Sequence, residues 1–281
     1  MNVKHNARIA FQGERGAFSE EAAIELLGDG IELVPRPTFE RLFEAIDEGA
    51  ADYILAPIEN SLAGSVHRSY DLLVGSRDLH IIGEVIIPIV HNLIGAKGAT
   101  FEDVAIVESH PVALAQCELF FCAHPQLRRI ATQDTAGSVR DVTAAGDKSR
   151  AAIASRRAAQ TYGGVILREH LEDNRQNYTR FLLLSNNGTA LGSADKLSLV
   201  FELDHRPGAL LRALEPFARR GINLMKIESR PVHGKPWQYR FYLDLQAARE
   251  QPDATAALEE LKGEVVGLRI LGSYPAAKQL G

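Results

Sequence analysis

A chain of 281 residues is long for one hydrophobic core, so two domains are expected. A content of 46% hydrophobic and 24% charged residues is ordinary for a globular protein, and a net charge of −5 gives no electrostatic reason to expect nucleic acid or an anionic membrane as partner. The stretch MNVKHNARIAFQGERG lacks the apolar core of a signal peptide and no later run is long enough to span a bilayer, so a cytoplasmic location is expected. Cys117 and Cys122 lie five apart in a helical pattern, point to different sides of it, and read as free thiols. Without CxxC or His/Cys ligand spacing, no structural zinc is expected.

In chain order, ARIAFQG (7–13) reads as a strand leading to a helix over 19–27, with Ser19 as N-cap, Glu20 and Glu21 in the first turn and Gly28 at its end. TFERLFEAIDEG (38–49) reads as a second helix, and ADYILAPIENS (51–61) as a strand running into a polar tip. VAIVESHP (104–111) is a strand ending at a helix start, with Ser109 or His110 as cap and Pro111 at the first helical position. TAGSVRDVTAAG (135–146) is a helix ending in glycine, and RAAIAS (150–155) a strand with another polar tip. Helix, glycine, spacer, apolar strand and polar tip thus occur twice, at 38–61 and 135–155, which predicts two similar α/β lobes on a largely parallel sheet system. Residues 84–96 and 172–184 are the expected crossings between lobes, a hinge with a ligand cleft beside it.

The polar tract 185–193 is the linker candidate, dividing a domain at 1–190 from one at 194–281. Beyond it, LSLVFEL (197–203), GALLRALEPFARRG (208–221), NLMKIESRPV (223–232), WQYRFYLDLQ (237–246), DATAALEELKGE (253–264) and VVGLRILGSY (265–274) spell β-α-β-β-α-β, with a His-Gly-Lys-Pro turn between the middle strands. That order is ferredoxin-like. The basic, aromatic-studded sheet of an RNA-binding module is not in the pattern.

Loops 13–19, 57–61, 108–111 and 133–138 should converge beyond the strands' carboxyl ends, and three of them open helices whose free amides attract anions. The glycines around Arg15 match neither GxGxxG nor a Walker loop. Ser109 and His110 are sequence neighbours without a G-x-S-x-G elbow, which argues against a serine hydrolase. In NYTRF (177–181) an amide, a hydroxyl and a guanidinium run straight into the apolar FLLL, which places Thr179 and Arg180 on the cleft wall. For Arg180 alone, a structural salt bridge is an equal reading.

QGERGAFSEEAA, PIENSLAGSVH, ESHPVALAQC, TQDTAGS, AAIASRRAAQTYG and NYTRF, followed by RPGALLRAL and IESRP, together resemble the monofunctional prephenate dehydratases and the related arogenate dehydratases, with a C-terminal ACT regulatory domain. One departure is Val112, where the family often has Gln after His-Pro. The resemblance implies an α/β fold: a two-lobed catalytic domain like a periplasmic binding protein, plus a βαββαβ ACT domain. It implies decarboxylating dehydration of prephenate to phenylpyruvate without cofactor or metal, or of arogenate to L-phenylalanine. A non-catalytic sensor with the same cleft is the competing class.

The resemblance makes Thr179 the essential residue. An alcohol is a poor general acid near neutral pH, so Thr179 is expected to donate a hydrogen bond to the departing oxygen, with Glu59 or His110 as proton source. Asn60, Ser61, Ser109, Gln116 and Thr135 are expected to orient substrate, Gln116 being deep enough in its helix to act from behind. Arg180, if it enters the cleft, should hold the side-chain carboxylate, because the ring carboxylate loses its charge as carbon dioxide leaves. For the ACT segment the resemblance implies an L-phenylalanine site built from Gly208, Ala209, Leu210, Leu211, Asn223, Glu228, Ser229, Arg230 and Pro231. It also implies feedback inhibition and a homodimer or homotetramer.

Overall fold

The computed structural model describes residues 5–232, 234 and 237–278. Two compact units emerge among them, one from residues 5–77 and 85–182, the other from 78–84 and 183–278.

In the first unit the chain runs β1 (Arg8–Gln12), α1 (Phe18–Leu27), β2 (Glu32–Arg36), α2 (Phe39–Glu44), β3 (Tyr53–Asn60), β4 (Gly64–Ser65) and α3 (His67–Gly75); of the next strand, β5 (His80–Pro88), only residues 85–88 belong to this unit. It continues through β6 (Asn92–Gly95), β7 (Ile106–Ser109), α4 (Pro111–Ala115), α5 (Glu118–Ala123), β8 (Arg128–Ala131), α6 (Thr135–Ala145), β9 (Arg150–Ala154), α7 (Arg156–Tyr162), β10 (Val165–Arg168) and β11 (Tyr178–Ser185). One sheet has the order β2-β1-β3-β11-β5 with β4 on β3; the other is β10-β6-β9-β7-β8. The chain therefore passes between sheets at 89–91 and again at 169–177. In the first sheet β1 pairs parallel with β2 and β3; in the second, β7 pairs parallel with β8 and β9, while β6 is antiparallel to β9 and β10. Central strands such as β1 and β9 are buried on both faces, as a sheet covered by helices requires.

Local chemistry sets the helix starts. Thr38 caps α2 by accepting from Arg41 N, and the helix stops at Glu44, with turns replacing the expected continuation to 49. His110, not Ser109, caps α4, its ring accepting from Val112 N. Asp134 caps α6 through Gly137 N at 2.6 Å, and Gly146 ends it at φ 66°.

The start of α1 departs from expectation. Its N-cap is Ala17, with no side-chain cap, and Ser19 lies buried in the first turn. The reason is a contact that spacing does not reveal: Glu20, fully buried, reaches back to Gly16 N and is held by Arg15 at 2.7 Å and Arg157 of α7 at 2.6 Å. Gly16 meanwhile presses onto α7, where an added Cβ would stand 2.7 Å from Ala158 Cα. Ser155 Oγ donates to Gly16 O at 2.7 Å. The helices of the two sheets are thereby fastened together.

The second unit continues with β12 (Lys196–Glu202), α8 (Ala209–Arg219), β13 (Leu224–Pro231), β14 (Tyr239–Leu245), α9 (Pro252–Glu264) and β15 (Val266–Tyr274). Its antiparallel sheet has the order β13-β14-β12-β15, the ferredoxin-like arrangement. Leu197, Leu199 and Phe201 on alternate positions of β12 meet Phe217 of α8 and Leu261 of α9. Of the expected turn at 233–236, His233, Lys235 and Pro236 lie outside the described residues. Beneath this core Lys196 Nζ lies 2.9 and 3.0 Å from the two oxygens of Glu84, and Ser198 Oγ donates to Asp244 at 2.5 Å. No helix of the described residues is long and apolar enough to cross a membrane.

Candidate active site

A cleft of about 430 Å³ opens in the first unit where the strand ends of both sheets meet. Its walls come from the end of β1 (Gln12) and the start of α1 (Phe18), from Asn60 at the end of β3, from His110 and Gln116 of the α4 segment, from Thr135 at the start of α6, and from His91 and Thr179. The volume suits a small organic ligand.

Along its floor a chain of neutral hydrogen bonds has only one consistent polarity. Asn60 Oδ1 accepts from Leu62 N at 3.0 Å and Ala63 N at 2.8 Å. Backbone amides can only donate, so the Asn60 amide orientation is settled. Its Nδ2 then faces three acceptors, Asn177 Oδ1 at 2.8 Å, Thr179 Oγ1 at 2.9 Å and Tyr178 O at 3.1 Å, and its two hydrogens best serve the two nearer ones. Asn177, fully buried, must present its own Nδ2 to Gln116 Oε1 at 3.0 Å. His91 Nε2 lies 2.9 Å from that same Oε1, so it carries the proton and donates. Two consequences follow: Thr179 Oγ1 already accepts, leaving its O–H to be donated to a ligand, and Gln116 keeps its amide nitrogen available. Burial pushes the His91 imidazole below the usual histidine value, against the opposing pull of the Gln116 hydrogen bond and the Glu172 charge.

His110 Nδ1 accepts from Val112 N at 3.2 Å, so the neutral ring carries its proton on Nε2. At the start of α1, Ala17 offers no side-chain cap, and Ala17, Phe18 and Ser19 line the cleft. Thr135 opens α6 on the same wall.

Of the residues expected in the site, Thr179, His110, Asn60, Gln116 and Thr135 line this cleft. Four others are placed elsewhere. Arg180, expected to face a substrate carboxylate, follows Thr179 on β11 and so takes the opposite face, where its guanidinium lies 3.7 Å from Glu59. Glu59, a candidate proton source, is engaged in that pair. Ser61 Oγ donates to Gln176 O at 2.8 Å, and the buried Ser109 Oγ to Ile153 O at 2.6 Å. His91 carries no role in the sequence reading, and Asn177, read there as the cleft-wall amide of NYTRF, is fully buried and links Asn60 to Gln116. His91 sits in the apolar run VIIPIVHNLIGA, and Asn177's partners are distant along the chain. The described residues contain no group of three or more His, Cys, Asp or Glu that could hold a metal ion.

In the second unit, Gly208 is the N-cap of α8 at φ 75°, a conformation that favours glycine. Leu210 is half-buried and Leu211, 72% exposed, faces solvent. Asn223 donates to Gln246, and Glu228, Ser229, Arg230 and Pro231 lie on β13, an edge strand.

The sequence profile of prephenate dehydratase matches residues 9–189 and that of the ACT domain residues 197–263. The chain belongs to the prephenate dehydratase family. It is 42% identical over 279 residues to arogenate dehydratase/prephenate dehydratase 2 of Arabidopsis thaliana, covering 95% of this chain and 72% of that one. The crystal structure of a prephenate dehydratase from Arthrobacter aurescens in complex with L-Phe superposes with a TM-score of 0.86 at 32% identity, covering 95% of this chain and 89% of that one. A structure described as GqqA, a novel type of quorum quenching acylase, superposes with a TM-score of 0.87 at 34% identity over 96% of this chain and 98% of that one. In family terms, the cleft lies within the dehydratase segment and the β12–β15 sheet carries the ACT segment.

Proposed function

We propose that the protein catalyses the decarboxylating dehydration of prephenate to phenylpyruvate. The observation that carries this reading is the Thr179 hydroxyl, held as an outward donor by an amide whose own orientation backbone N–H groups dictate. Such a donor, fixed before substrate arrives, stabilises negative charge as it develops on the departing hydroxyl. Its proton is too tightly held for free release, so a second group replenishes it. His110 is on the cleft wall and can supply that proton as the imidazolium, once its Nδ1 is released from Val112 N and protonated, whereas Glu59 is paired with Arg180.

Aromatisation drives the loss of carbon dioxide, and a cation gripping the ring carboxylate would stabilise the ground state most. The side-chain carboxylate keeps its charge, and the uncapped amides at the start of α1 suit it. Arogenate offers the same ring with an amino-acid side chain, and a relative bearing both names makes it the alternative substrate.

An acylase would need a nucleophile at the cleft. Ser109 is buried and bonded to a carbonyl, burial pushes the Cys117 thiol up, and among the described residues no histidine or carboxylate is hydrogen-bonded to the hydroxyls that line the cleft, Ser19, Thr135 and Thr179. Incubation with prephenate and with arogenate, followed by alkaline absorbance for phenylpyruvate and amino-acid analysis for phenylalanine, tests the reading. Turnover of neither substrate overturns it.

Regulation belongs to the same proposal. L-Phenylalanine binds near the start of α8 and the end of β13, at a junction of ACT segments in a homodimer or homotetramer, and inhibits the enzyme in the cytoplasm. Calorimetric titration of phenylalanine into the wild type and a Gly208→Val, Ser229→Ala variant should show binding only to the former.

A further inference from the structure

We propose that His91 contacts the substrate directly, accepting a hydrogen bond at Nδ1 from the substrate's own donor. The inference rests on the dehydratase reading above and adds a residue to it. His91 is 2% exposed and lines the cleft. The amide chain forces its proton onto Nε2, because Gln116 Oε1 already receives the Asn177 amide and can only accept again. Nδ1 is then a bare lone pair, and it is buried without a hydrogen-bond partner among the described residues. An unsatisfied buried acceptor is costly, and one on a side chain that lines a ligand cavity points to a donor on the ligand. The ring stands edge-on to Phe18, with centroids 5.7 Å apart, which holds it in place.

The chemistry narrows the donor. Thr179 O–H, the Gln116 amide and the start of α1 all offer hydrogens, which suits the oxygen-rich parts of the substrate. A lone pair recognises what those groups do not: an O–H or N–H on the ligand. Prephenate has one such group at neutral pH, its ring hydroxyl; arogenate adds an ammonium. Holding the ring hydroxyl's hydrogen at His91 turns its oxygen lone pairs toward other donors. It also makes that oxygen more basic, because hydrogen bonds in series strengthen one another. Both effects assist departure as water.

His91→Gln is the informative variant. Its amide nitrogen takes the place of Nε2–H and keeps the bond to Gln116, while the Nδ1 position is left without an acceptor. We expect its kcat/KM to fall about tenfold or more, with an unchanged melting temperature. Equal losses on prephenate and arogenate assign the contact to the ring hydroxyl; a loss on arogenate alone assigns it to the ammonium. Wild-type kcat/KM on both substrates overturns the proposal while leaving the dehydratase reading intact. An inactive wild type removes that reading and this one with it. Imidazole nitrogen NMR of the wild type gives a check that needs no variant. A neutral ring protonated at Nε2 is expected near neutral pH, and a proton on Nδ1 overturns the proposal.

Discussion

Two buried polar networks in this molecule are built on opposite principles. In the cleft, Asn60, Asn177, Gln116, His91 and Thr179 are joined without a formal charge. In the second unit, Glu84 and Lys196 form an ion pair, each about 95% shielded, beside Asp244. The neutral chain confers direction: once the Asn60 amide is oriented, the Asn177 amide and the His91 ring must donate onward to Gln116. The ion pair confers no such order, because either carboxylate oxygen accepts equally well. It makes both partners indispensable instead, since a lone charge left in the interior is heavily penalised. Directed hydrogens serve catalysis, and mutual dependence serves cohesion.

The largest effect that can break this contrast is on turnover. Thr179→Ala removes the final donor of the neutral chain and should lower kcat by about a thousandfold with little change in melting temperature. A loss below about tenfold, or ~1.4 kcal/mol, would remove Thr179 from the chemistry.

On the ionic side the readout is stability. Lys196→Met leaves Glu84 buried without its cation and should cost about 3–5 kcal/mol in denaturant unfolding, whereas Lys196→Met with Glu84→Gln should recover most of it. A single variant as stable as wild type would mean the pair holds nothing together.

Polarity itself is tested by Asn60→Asp. The carboxylate still accepts from Leu62 N and Ala63 N but has nothing to give Thr179 or Asn177. Thr179 would then donate back to it, and kcat should drop about a hundredfold with KM little altered. Activity within a few-fold of wild type would show that the direction of the chain is irrelevant.

The smallest effect is on pH. Burial lowers the His91 value, so between the folded and unfolded values the unfolded chain binds more protons. Stability should therefore decline as pH falls below about 6.5, by at most about 1.4 kcal/mol per pH unit from this group. Glu172, whose Oε2 accepts the His91 backbone N–H at 2.9 Å, softens the decline, and His170 lies 3.1 Å from the same carboxylate. His91→Gln should flatten the curve. Parallel curves for the two proteins from about pH 8 to about pH 5 would contradict a neutral buried imidazole.

How much of this was legible varies by element. Central strands β1, β3, β7 and β9 stand out as apolar runs because helices cover both their faces. The pattern gives no signal for β2, β8 and β10, all at sheet edges. Their half-exposed residues, as in Arg128–Ala131, carry too little apolar pattern to register. Caps follow the same division. His110 acts on an amide two residues on and was among the caps read, whereas the reach of Glu20 to Arg157 spans 137 residues and was not readable.

The sequence by itself determined the alternation of strands and helices, the ferredoxin-like order after residue 195, and the family, because these rest on local periodicity and contiguous motifs. It also placed Thr179 beside an apolar strand. Only the tertiary structure decided which way that hydroxyl donates, that Arg180 turns to Glu59, and that His91 meets Gln116. The physical reason is that hydrogen-bond direction belongs to a partner, not to a residue. Thr179 acquires its partner, Asn60, across 119 positions of chain.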